Sequence, residues 1–409
     1  MATLLRLATC GSVDDGKSTL IGRLLFDSKA IHEDQLEGVL AASQLKGGEG
    51  IDLALLTDGL RAEREQGITI DVAYRYFATE RRSFILADTP GHVQYTRNMV
   101  TGASTAHVAL VLIDARHGVV EQTRRHLFVS GLLGVPHVVV CVNKMDLVGY
   151  DQAVFDAIEA DVRALAHGHE HIDAVIPISA KDGDNVVDRS DRFPWYQGPA
   201  LLRLLEDIEV DDEPDAAGTR LPVQYVIRDG DVRHYAGRLA GGSLAAGDEV
   251  VVLPAGRRTT IASVDTFDGP LPEAAGPVSI TVTLADHVDV SRGDLICRPE
   301  DAPEVTRELT ATVCWMADAP LRAGARLALK HTTNSVRAIV DSIEDRLDVT
   351  TLQREAGAAE LGLNDIGTVH LRTSAPVLAD PYSANRTTGS FILIDEATND
   401  TVAAGMVVG

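Results

Sequence analysis

CGSVDDGKSTLIGRLL, residues 10–25, decides how this chain is read. Gly11-Ser12-Val13-Asp14-Asp15-Gly16-Lys17-Ser18 matches G-x-x-x-x-G-K-[ST]. The motif needs a strand before it and a helix after it. Leu4–Cys10 is an apolar run of strand type, and a helical pattern opens at Ser18 and runs to Leu25. Glycines at both ends let backbone N–H groups turn inward around phosphate oxygens, and the helix N-terminus adds the positive end of its dipole. Lys17 is placed to reach the β- and γ-phosphates and the Ser18 hydroxyl to ligate Mg²⁺, while Thr19 belongs to the expected GTP-binding residues.

Outward from this loop, three further stretches complete a nucleotide site. Asp88-Thr89-Pro90-Gly91 follows the apolar run Ser83–Ala87, which puts a carboxylate at a strand's C-terminal end. That is the place for an acid linked to Mg²⁺ through water, with Gly91 free to approach the γ-phosphate. Asn143-Lys144-Met145-Asp146 follows the apolar run His137–Val142. It offers an amide and a carboxylate toward the base, covered by the lysine stem. A carboxylate at Asp146 can accept from guanine N1–H and the exocyclic amine, a donor pair that adenine lacks. Ser179-Ala180-Lys181 follows another apolar run and closes the base pocket with backbone donors. The expected cofactors are therefore GTP and Mg²⁺. Thr69, in Gly67-Ile68-Thr69-Ile70-Asp71, is the expected second Mg²⁺ ligand, closing over the metal when GTP is bound. His92 is either the side chain that orients the attacking water or a solvated loop histidine. With Lys17 it forms the expected catalytic pair. Asp14 either helps place a monovalent cation or makes a loop hydrogen bond.

Alternation of apolar strand-like runs with helical patterns (Gln122–Leu133, Asp151–Ala166) continues to about residue 210 and predicts βαβ units with a mainly parallel sheet. Val210–Arg220, VDDEPDAAGTR, reads as a linker. Beyond it, Pro222–Arg228, Ala236–Leu239, Glu249–Leu253 and Val278–Leu284 are short strands separated by glycine turns, and a second break falls at Arg298–Glu304. The expected architecture is an α/β P-loop GTPase domain (1–210) followed by two all-β barrel domains (220–300 and 305–409).

The 409 residues carry a net charge of -23. A surface this acidic repels nucleic acid phosphates and anionic lipid, so neither is an expected partner. Cys10, Cys141, Cys297 and Cys314 are scattered without metal-ligand or disulfide spacing, and Cys10 and Cys141 read as small buried hydrophobes. No signal segment or apolar span of membrane length occurs, so the expected location is the cytoplasm. His107, His117 and His126 lie on or beside helical segments and read as structural or surface residues.

Gly-x-Val-Asp-x-Gly-Lys-Ser, Gly-Ile-Thr-Ile, Asp-Thr-Pro-Gly-His and Asn-Lys-Met-Asp together resemble the translation-type GTPases, whose G domain precedes two β-barrels. Asp114-Ala115-Arg116-His117-Gly118 and Gln122-Thr123-Arg124-Arg125-His126 share that resemblance. Asp15 stands where elongation factor Tu has histidine. Together with Asp58–Asp71, Gln94–Ser104 and Gly389–Asp395, it makes the chain similar to the GTPase subunit (subunit 1) of heteromeric sulfate adenylyltransferase, or ATP sulfurylase. That resemblance implies a partner, the small adenylyltransferase subunit, which joins ATP and sulfate into adenosine 5′-phosphosulfate and pyrophosphate. It implies a heterodimer or higher heteromer in which GTP hydrolysis drives that reaction. The competing expectation is an elongation-factor-like GTPase that delivers aminoacyl-tRNA. Val93 departs from the glutamate expected after His92, and Ser179–Asn185 departs slightly from its family pattern. With no second P-loop before Gly409, no adenylyl-sulfate kinase activity is expected of this sequence.

Overall fold

The structure, a computed structural model, describes residues 3–29, 53, 72–90, 96–165, 172–210, 218–348, 351 and 353–409. Contacts divide the chain into two compact units, one formed by Met1–Val210 with Val349–Thr351 and one by Asp211–Asp348 with Leu352–Gly409.

The first unit is built on a six-stranded sheet of β1 (Thr3–Cys10), β2 (Ala73–Ala78), β3 (Arg82–Asp88), β4 (Val108–Asp114), β5 (His137–Asn143) and β6 (Ile172–Pro177). The strand order is β2-β3-β1-β4-β5-β6. All neighbours pair in parallel except β2, an antiparallel edge strand beside β3. Every residue of β4 is buried, as a central parallel strand covered on both faces requires. The strands alternate with α1 (Lys17–Asp27), α2 (Thr96–Ala103), α3 (Glu121–Leu132), α4 (Gln152–Leu165) and α5 (Leu201–Asp207). In α4 the buried residues are Phe155, Ile158 and Val162, the one-sided spacing of an amphipathic helix lying on a sheet. The end of α5 is fastened by a buried arginine. Arg82 Nη1 donates to Leu205 O at 3.0 Å and to Ile208 O, so free carbonyls at the helix C-terminus gain a cationic donor. Cys10 and Cys141 are fully buried in strands, and burial pushes their thiols up to about 11 and about 12.

The second unit holds two antiparallel barrels. The first closes through β7 (Leu221–Asp229), β8 (Val232–Leu239), β9 (Glu249–Leu253), β10 (Arg257–Thr266), β11 (Val278–Leu284) and β12 (Leu295–Cys297), in ring order β9-β12-β7-β8-β11-β10. The second closes through β13 (Val305–Trp315), β14 (Arg326–His331), β15 (Asn334–Asp348), β16 (Ile366–Leu378), β17 (Ser390–Ile394) and β18 (Thr401–Val407), in ring order β14-β17-β18-β13-β16-β15. Closure removes the exposed strand edges that an open sheet would present. Leu378 of the second barrel packs into a cluster with Val251, Leu253, Leu295 and Cys297 of the first. Beside it lies a buried ion pair: Arg220 Nε and Nη2 donate to the two carboxylate oxygens of Asp380 at 2.9 and 2.8 Å. The side chains are only 3% and 7% exposed, so water screens this pair little. Thr388 Oγ1 also donates to Asp380, and Asn385 Nδ2 to Ala240 O at 2.9 Å.

Breaking a buried pair of this kind leaves one charge uncompensated. Arg220→Ala is expected to destabilise the two-barrel unit by roughly 3–5 kcal/mol, read by chemical denaturation. Arg220→Met/Asp380→Leu should recover most of that loss; a double variant as unstable as the single one would refute the assignment.

Candidate functional site

The sheet brings the sequence-predicted motifs to one edge. Parallel register sets Thr9 beside Asp88, and Asp114 beside Asn143. The C-terminal ends of β1, β3, β4, β5 and β6 therefore open on the same side, where ligands bind in open α/β sheets.

The P-loop Gly11–Ser18 leaves β1 and enters α1 without a side-chain cap. Uncapped N–H groups at a helix start are donors available to an anion. Gly16 sits at φ 93°, in the left-handed region, and a Cβ there would collide with Asn143 Nδ2. Only glycine satisfies both conditions. Lys17 is 7% exposed and its Nζ donates to Gly11 O and Ser12 O at 2.8 and 2.9 Å. Burial lowers its pKa, against the opposing pull of Asp88 and Asp15. Asp15 accepts from the Ser12 N–H inside the loop, and burial raises its carboxyl pKa. Val13 and Asp14 are exposed, Asp14 with φ 69°. Ser18 and Thr19 are half-buried in the first turn of α1.

Asp88 is 2% exposed at the end of β3, and Thr9 Oγ1 donates to it at 3.5 Å. Thr89 Oγ1 donates to Thr9 O, and Pro90 is buried. Gly91, His92, Val93, Thr69 and the stretch Asp58–Asp71 lie outside the described residues. Among the described residues, Ser18 and Asp88 fit Mg²⁺: both offer hard oxygen atoms, and no cluster of three or more His, Cys, Asp or Glu forms a protein cage. Mg²⁺ favours this arrangement, taking few protein oxygens and filling its remaining positions from phosphates and water.

The base-side loops meet at Asn143. Its Nδ2 donates to Asp15 O at 2.8 Å, and its Oδ1 accepts from Ala180 N at 3.0 Å. The amide that sequence reasoning aimed at the base also ties the P-loop to the Ser179-Ala180-Lys181 loop. Lys144, at φ 63°, donates through Nζ to Asp14 O, so its stem spans the P-loop. Met145 is fully buried beneath the turn. Asp146 is half-buried, and Ser179 Oγ donates to its Oδ1 at 2.9 Å. Ser179 and Ala180 are buried, whereas Lys181 is exposed.

Two contributors escaped sequence reasoning. Arg23 donates to Ala180 O at 3.2 Å and to Lys181 O, holding the base loop from α1. In the sequence, Asp114 stands out only within the resemblance to the translation-type GTPases. It is 2% exposed and accepts from Arg116 Nε and Nη2 (3.0 and 2.6 Å), Arg116 N (2.9 Å) and Lys144 Nζ (2.9 Å). Burial alone would raise its pKa, but these donors more than reverse that and hold the carboxyl well below the usual range. The only advance signal for Arg23 was polarity inside an otherwise apolar pattern.

Residues 2–214 match the family described as the elongation factor Tu GTP binding domain, and residues 308–408 the GTP-eEF1A C-terminal domain-like family. The chain is 58% identical, over all of its length and 68% of the relative's, to the bifunctional enzyme CysN/CysC of Mycobacterium tuberculosis (strain CDC 1551 / Oshkosh). It is 54% identical to sulfate adenylyltransferase subunit 1 of Aeromonas hydrophila and 53% identical to that of Aeromonas salmonicida. These alignments cover 99% of the chain and 86% and 87% of the relatives.

His126, on α3, is 1% exposed, and its pKa is pushed down to about 3 by burial and by the charges of Lys17 and Arg125. Between about pH 3 and 6.5 the unfolded chain therefore binds a proton that the folded chain refuses. Stability must fall as pH drops through that window, by at most about 1.4 kcal/mol per pH unit from this one group. His126→Gln is expected to flatten the acid limb of a stability–pH profile measured by denaturation; an unchanged slope would contradict the buried neutral imidazole.

Proposed function

The chain belongs to the family of sulfate adenylyltransferase subunit 1, GTPases with an elongation factor Tu type GTP-binding domain, and from that premise we propose that it hydrolyses GTP to drive sulfate activation by a partner subunit. The partner, a small adenylyltransferase subunit, would form adenosine 5′-phosphosulfate and pyrophosphate from ATP and sulfate. The observation that carries this reading is identity above one half, extending along the whole chain, to proteins named subunit 1. Delivery of aminoacyl-tRNA fits less well, because a net charge of -23 opposes an RNA partner.

The residues divide the work as follows. The P-loop amides of Gly11–Ser18 and the Lys17 ammonium hold the β- and γ-phosphates. Lys17 exchanges its loop carbonyls for phosphate oxygens, which is favourable for a cation kept from water. Asp146 reads guanine, the Lys144 stem covers it, and the Ala180 region closes the pocket. Ser18, Thr69 and, through water, Asp88 would hold Mg²⁺, which would supply positive charge to offset that of the phosphates. His92 orients the water that attacks the γ-phosphate. Loss of that phosphate would be sensed at Asp58–Asp71 and Gly91–Met99, the two segments expected to respond to the nucleotide. Energy reaches the partner because it binds the two states with different affinity. No helix among the described residues is long and apolar enough to cross a membrane.

Co-expression with the small subunit tests this. GTP hydrolysis should rise when ATP and sulfate are present, and adenylyl sulfate should accumulate only with cleavable GTP. His92→Ala should lower GTP turnover by about 10²-fold or more, and Lys17→Ala should abolish coupled synthesis. GTP turnover with no adenylyl sulfate under any partner would refute the sulfate-activating role.

A further inference from the structure

Asp114 has four donors on one buried carboxylate and no place in the motifs that name the site. It ends β4, and the parallel register sets it beside Asn143, one residue before Lys144. Ala115 N donates to Asn143 O at 2.9 Å, which fixes the two strand ends together. From that position the carboxylate reaches Lys144 Nζ at 2.9 Å, while the same Nζ donates to Asp14 O across the P-loop. A lysine side chain has several rotatable bonds and is a compact charge that one hydrogen bond does not orient. Held at its tip by Asp114 on one side and by the P-loop on the other, Lys144 loses that freedom. Its side chain is 21% exposed, whereas Asp114 is 2% exposed, so the anchor lies inside and the lysine stem reaches outward from it across the P-loop.

Arg116 completes the arrangement. It grips Asp114 through Nε and Nη2 in a two-bonded fork and stays 42% exposed. The fork fixes the plane of the carboxylate, so the oxygen facing Lys144 has little freedom to turn away.

We propose that Asp114 is a positioning residue of the guanine site: by anchoring Lys144 across the P-loop, it sets how slowly guanine nucleotide leaves. This rests on the nucleotide site proposed above. Asp114 does not read the base; that falls to Asp146, which is held separately by Ser179. Loss of Asp114 should therefore shorten residence without changing which base is preferred.

The test uses the full chain and release of fluorescent GDP chased by unlabelled GDP. Asp114→Asn keeps the size of the side chain but presents a neutral amide to two cations. It should speed release by about 10- to 100-fold, the range for a hydrogen bond to a charged group. Lys144→Met should speed release as well, and Asp114→Asn/Lys144→Met should be no faster than Lys144→Met alone, because the first residue acts through the second. The ratio of GDP to IDP affinity should stay at its wild-type value in Asp114→Asn. If the asparagine variant does not fold, Asp114→Glu, which keeps the charge at a different reach, should show the same non-additivity with Lys144→Met. Multiplying effects in the double variant, an unchanged release rate, or an altered GDP:IDP ratio would overturn the proposal while leaving the site intact. A wild-type chain that retains no GDP would overturn the site and the proposal with it.

Discussion

One carboxamide holds the nucleotide site together. Asn143 gives its NH2 to the P-loop at Asp15 O and its oxygen to Ala180 N. The two loops it joins lie on opposite sides of it in the sequence. Each is a stretch of irregular backbone whose polar groups need partners. The bond also explains Gly16, since any side chain there would occupy the space of the Asn143 amide. Removing the amide would leave a buried N–H and a buried carbonyl unpaired, and would free the P-loop from its support on β5.

The electrostatics follow from how that framework distributes donors. Asp15 and Asp114 are both buried carboxylates, 7% and 2% exposed, yet their pKa values move in opposite directions. Asp15 has one backbone N–H, too little to offset burial. Asp114 has a forked guanidinium, a backbone N–H and an ammonium. The direction of each shift is therefore set by burial weighed against the number and charge of the donors. Lys17 stands among Asp88, Asp15 and Asp14, and those carboxylates oppose the desolvation that lowers its pKa.

The β unit solves a different problem. Each barrel has its own apolar core, and a small apolar cluster around Leu378, the Arg220–Asp380 pair and the Asn385–Ala240 hydrogen bond join them. A buried ion pair is a poor source of net stability compared with packed hydrocarbon, but its geometry tolerates little displacement. The forked bonds and the Thr388 hydroxyl on Asp380 give the two barrels one relative placement within the unit.

The nucleotide motifs and the change from βαβ to all-β were legible because both are local. A phosphate cradle depends on glycines and a helix start within eight consecutive residues, and strand or helix period is a property of short windows. The family resemblance was legible for the same reason, as a string of such windows in order. The sequence did not show the antiparallel edge strand β2, the closing order of the barrels, Arg23 on the Ala180 loop, or Asp114 on Lys144. Nor did it show Arg220 on Asp380, 160 positions apart. These pairings are made by strand register and barrel closure, which bring together side chains that no local pattern relates. Local backbone preference determined what each segment is; long-range hydrogen-bond register decided which charges meet.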